Sequence, residues 1–143
     1  MSDFLNRMFS AINMSFGWPV SMWPISTPLF AVTLWAILSL VRRERLVSKP
    51  VMLATGISLI FLIGVAAFAA AFWAEPAYPA RPPQLLRAAV LGYIWWAYFL
   101  AMALLVGFAR GIRMPMAALA FAMAWINFGI YFVGVMAVSG NWL

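Results

Sequence analysis

Arg42-Arg43-Glu44-Arg45-Leu46-Val47-Ser48-Lys49 separates two long apolar stretches, and its cations decide how the chain lies in a bilayer. Lys and Arg are retained on the cytoplasmic side during insertion, so a basic turn between two hydrophobic spans orients both at once. A second basic turn, Arg110-Gly111-Ile112-Arg113, plays the same part further along. Arg42, Arg43, Arg45, Lys49, Arg110 and Arg113 therefore fall on one side, where they can also meet anionic headgroups, against Arg7, Arg81 and Arg87 on the other. The richer side is read as cytoplasmic, which puts both termini outside. In a Gram-negative cell that is the periplasmic face of the inner membrane.

Composition supports a membrane setting. Hydrophobic residues make up 67% of the 143 and charged residues 8%, with a mean hydropathy of +1.01. A soluble chain has about 45–50% apolar and about 25% charged residues. At about 20 residues per span the chain has room for four, at most five, helices in one membrane domain, 1–143. The expected fold is all-α: a four-helix transmembrane bundle of two antiparallel hairpins, preceded by an interfacial amphipathic helix. The chain has no Cys and no His, which excludes disulfides, thiolate and imidazole metal sites, and His-based acid–base chemistry. A net charge of +6 is no sign of nucleic acid here, because the cations sit at span ends.

Residues 2–16 place Phe4, Leu5, Met8, Phe9, Ile12 and Phe16 against Ser2, Asp3, Asn6, Arg7, Ser10 and Asn13. That periodicity predicts a helix too short and polar to span, lying in the interface plane or against a partner. With Asp3 and Arg7 in its apolar part and no basic n-region, it does not read as a cleaved signal peptide. Pro19, Pro24 and Pro28, with Trp18 and Trp23, predict a headgroup-level elbow, with Thr27 as cap and Pro28 opening the helix proper. The first span is placed at 22–41, the short remainder after Pro28 requiring an earlier start through a kink or an extension past Val41. The second, 51–74, carries no charge and is about 36 Å long as a helix. A stiff proline-rich outer loop, 76–83, leads to a third span, 88–109, and a fourth, 114–138. Lys49-Pro50 and Arg113-Met114-Pro115 give the second and fourth spans similar openings, as hairpins entering from one side do without any duplication.

Three constellations stand out. In the fourth span Ala117, Ala120, Ala124, Asn127, Tyr131 and Gly134 recur at steps of three and four, a seam of small and polar groups suited to helix packing, with Phe121, Trp125, Phe128 and Phe132 opposite. In the second, Gly56, Gly64, Ala67 and Ala71 predict another close-packing edge, fit for a central place in the bundle or for a second protein. In the third, Tyr93, Trp95, Trp96, Tyr98 and Phe99 crowd below Arg87. An aromatic belt explains the outer ones. Tyr98 and Phe99 lie deeper than a belt requires, and a quinone, carotenoid or (bacterio)chlorophyll, or a lipid whose headgroup meets Arg87, is the ligand such a cluster would take. Met114 and Met116 flank Pro115, but thioethers without His or Cys make a poor copper site.

No Asp, Glu, Lys or Arg stands in the middle of any span. Proton-coupled transport and membrane-embedded hydrolysis rely on such groups. The expectation is a non-catalytic accessory subunit of a larger energy-converting or secretion complex, docking on other integral membrane subunits and on lipid. The alternative is a homo-oligomeric channel or carrier for a neutral or anionic solute.

Overall fold

The computed structural model describes residues 2–74 and 82–140, and every regular element among them is helical: α1 Ser2–Ser21, α2 Trp23–Arg42, α3 Lys49–Ala71, α4 Pro82–Phe108 and α5 Arg113–Ser139. The last four are long and apolar enough to cross a membrane. Most of the expected outer loop, with Glu75 and Arg81, and the terminal 141–143 lie outside the described residues.

The proline-rich elbow is tighter than its composition suggests. It reduces to Met22, with Pro19 inside α1, Pro24 in the first turn of α2 and Pro28 inside α2. Thr27 is not a cap: its hydroxyl donates to the Trp23 carbonyl, 2.8 Å away, one turn back in the same helix. α1 also runs five residues past its expected end at 16. Pro19 has no N–H to give the Ser15 carbonyl, yet the helix continues past it, and that carbonyl faces α5 at Gly129. A Cβ there would lie 2.8 Å from the Ser15 oxygen. Only a glycine allows the approach.

α3 starts at Lys49 with Pro50 in its first turn and ends at Ala71, before the expected 74. Its exit is used: the Ala74 N–H donates to the Ala137 carbonyl at 2.8 Å. That oxygen belongs to the last turn of α5, where carbonyls lack helical donors. Gly140, with φ of 71°, closes the same end by donating its N–H to the Met136 carbonyl. α4 starts six residues earlier than expected, since prolines fit a first helical turn.

The centre is α5. All the other helices pack on it, and fully or nearly buried residues cover most of its circumference, among them Met116, Ala124, Ile130, Val133 and Ala137. Of the two roles expected for the second span, the central place in the bundle goes to α5, and α3 is buried along one side, through Ala54, Ser58, Phe61, Val65 and Ala69. α2 and α3, consecutive in the chain, do not pack along each other among the described residues, and neither do α2 and α4. Around α5 the order is α2, α1, α3, α4, with an open flank between α4 and α2. α1 presses Ala11 and Ser15, with Met8 and Ile12, into the bundle, while Phe9 and Phe16 from the expected apolar face are exposed.

Candidate functional site

α4 meets α5 as one antiparallel seam. Ala88, Leu91, Trp95, Tyr98, Met102, Leu105 and Ala109 follow each other at steps of three and four, a heptad stripe that faces the matching stripe of α5. Two such stripes interdigitate side by side. Where Gly134 crosses α3, a Cβ would lie 2.9 Å from Val65 Cγ1 and 3.4 Å from Leu91 Cδ1, so three helices converge on the missing side chain.

One helical turn or two inward, the same seam carries a polar node. Asn127 Nδ2 donates to Tyr98 Oη at 3.0 Å and reaches the Ser58 carbonyl at 3.4 Å, and Ser58 Oγ lies 3.1 Å from Tyr98 Oη. All three residues are buried. The node ties α3, α4 and α5 together at mid-span, where no water competes for the bonds. Its aromatic shell is continuous: Tyr98 packs on Phe61 with centroids 4.5 Å apart, and Trp95 stacks on Tyr131 at 5.2 Å. On the other side of α5, Trp18 sits 5.5 Å from Phe128 and 5.2 Å from Phe132, and Trp125 Nε1 donates to Ser26 Oγ at 3.1 Å. That pairing hangs α2 on α5.

The aromatic cluster expected on the third span is divided. Tyr98 is buried in the bundle, Trp95 is half-buried and lines one of the α4–α5 grooves with Phe99, and Tyr93 and Trp96 are 76% and 67% exposed. Arg87 is half-buried with its guanidinium 4.7 Å above the Phe72 ring of α3. The seam residues Ala120, Ala124, Asn127 and Gly134 are buried and Tyr131 is half-buried. The edge expected at Gly56, Gly64, Ala67 and Ala71 does not pack inside the chain: Gly64 and Ala71 are exposed, and a Cβ at Gly56 or Gly64 would meet nothing within 4 Å. The burial of α3 is set instead by the heavier line through Ser58, Phe61 and Val65. Met114 is exposed and Met116 fully buried, so the two sulfurs flanking Pro115 do not share a face. Ser58 and Gly129 escaped the sequence reading, and Trp18, read only as part of the headgroup-level elbow, packs on Phe128 and Phe132 of α5. Ser58 had a signal, one of two hydroxyls in a span where every polar atom needs a partner: Thr55 donates to the Val51 carbonyl of its own helix, and Ser58 pairs across the bundle.

The two basic turns lie at one end of the molecule, joined by a hydrogen bond from Arg43 Nη1 to the Gly111 carbonyl at 2.7 Å. Arg42, Arg43, Arg45, Lys49, Arg110 and Arg113 are all exposed there. Grooves open on two flanks. One, of about 430 Å³, lies between α3 and α4; a pair of about 250 and 230 Å³, sharing Phe99, Phe121 and Ala124, lies along α4 and α5 on the side open towards α2.

Fold and surface together define a multi-pass α-helical membrane protein. No protein-family model, no curated protein and no solved structure matches the chain.

Proposed function

We propose that the chain is a non-catalytic accessory subunit of a larger complex in a bacterial inner membrane, of energy-converting or secretion type, that acts through the surface it offers to other integral membrane subunits. The basic turns face the cytoplasm in this reading and both termini face out, which the excess of Arg and Lys in those turns favours. The observation that carries it is the open flank of α5. Helices α2 and α4 leave it uncovered, and Phe121 stands there 60% exposed beside the paired grooves.

α2 offers apolar surface of its own. It holds to α5 along Ser26, Leu29, Thr33, Ala36 and Leu40, and turns Phe30 and Trp35 outward, 72% and 51% exposed. Trp35 lies about 10 Å along the helix from Arg42, inside the hydrocarbon depth, where an indole N–H has no acceptor in lipid. A neighbouring helix supplies one. Purification from native membranes in a mild detergent, followed by native mass spectrometry, tests the reading: the chain should emerge with other membrane chains at fixed stoichiometry, and Phe121→Ala should release it without loss of helix content. A chain that, alone in liposomes, conducts a solute or turns over a substrate overturns it.

A further inference from the structure

We infer that the groove between α3 and α4 is a binding site for an anionic phospholipid, one acyl chain lying in the groove and the phosphate meeting Arg87. The groove is lined by Ile57, Phe61, Gly64 and Phe68 of α3 and by Ala97 and Tyr98 of α4, among others. Its floor offers no free polar group, because the Tyr98 hydroxyl is engaged by Asn127 and Ser58. An apolar tail suits it and a polar head does not.

The head of the groove is where charge appears. Phe68 lines the upper groove, packs on Phe72 with ring centroids 4.7 Å apart, and Phe72 carries the Arg87 guanidinium on its face. Arg87 has no ion-pair partner among the described residues: Asp3 pairs with Arg7, and Glu44 belongs to the basic turn at the opposite end. From Arg87 to Ile94 and Ala101, the upper and lower limits of the groove on α4, the rise is about 10 and 21 Å. Half a hydrocarbon core is about 15 Å deep, so the groove begins below the headgroup level and reaches the bottom of one leaflet. Ile60 projects along the α3 rim with Ile57 and Phe68 half-buried beside it, an uneven apolar wall that a flexible tail can follow. The site would take lipid whether or not the open flank of α5 docks a partner.

The test is native mass spectrometry of the full chain in detergent with dioleoyl phosphatidylglycerol or dioleoyl phosphatidylcholine added. Wild type should retain the anionic lipid at least fivefold better, about fivefold being the preference one arginine gives near a membrane surface. Arg87→Gln should lower retention of the phosphatidylglycerol about fivefold and leave that of the phosphatidylcholine unchanged, the six exposed cations at the opposite end being still in place, and Arg87→Lys should keep the wild-type value. Gly64→Leu fills the groove at a position where nothing stands within 4 Å of the new Cβ, and should lower retention of both lipids by about tenfold with helix content unchanged. Equal retention of the two lipids by wild type overturns the assignment, as does unchanged retention by Gly64→Leu. A disulfide-linked dimer of Gly64→Cys in membranes assigns the groove to a second copy and overturns it too.

Discussion

Asn127 shows what a single amide does at mid-span. It bonds across two helix contacts at once, and in a bilayer each such bond contributes on the order of 1 kcal/mol. Asn127→Leu should therefore cost about 1–2 kcal/mol in detergent unfolding and Tyr98→Phe a similar amount, with the double variant losing less than the two added, since both remove one shared bond. Asn127 was legible from its place in the seam, but its partners were not: spacing along one helix cannot say which residue of another stands opposite. The glycines make the same point. Gly134, where a Cβ would lie 2.9 Å from Val65, and Gly64, where it would meet nothing within 4 Å, look alike in sequence. Gly134→Leu should cost about 2–3 kcal/mol by overpacking, and Gly64→Leu less than about 0.5 kcal/mol, both read from the same unfolding curves.

Among the elements, the four spans were legible because length and hydropathy suffice to find them, and the ends of α5 agree with expectation to within a residue. Prolines misled, because composition does not distinguish a proline that breaks a helix from one inside a helix packed against a neighbour. At Pro19 the neighbour is α5, and the contact depends on Gly129. Gly129→Ala should loosen α1 while leaving the α4–α5 seam intact, raising amide hydrogen exchange within Ser2–Ser21 and leaving it unchanged around Tyr98 and Asn127. The heptad stripe of α4 was present in the sequence and overlooked because the aromatic residues around it drew a compositional explanation. Tested by spacing, Leu91, Trp95, Tyr98 and Met102 fall on one line and Tyr93, Trp96 and Phe99 do not.

For the whole molecule, the decisive feature is that one helix is wrapped by the others and left uncovered on a single flank. Sequence could place four spans in a membrane and gather the basic turns at one end. It could not say which span is central, since mean hydropathy is similar for α3, α4 and α5 and only packing separates them. The open flank at Phe121 carries the functional reading, and the chain has no Cys, so a single cysteine reports on one position alone. Cross-linking Phe121→Cys in native membranes, with the 76% exposed Tyr93→Cys as the control, measures the claim directly. The account predicts one adduct of defined mass with a different membrane chain at position 121 and none at 93. Equal labelling at both positions, or an adduct only with a second copy of this chain, would contradict it.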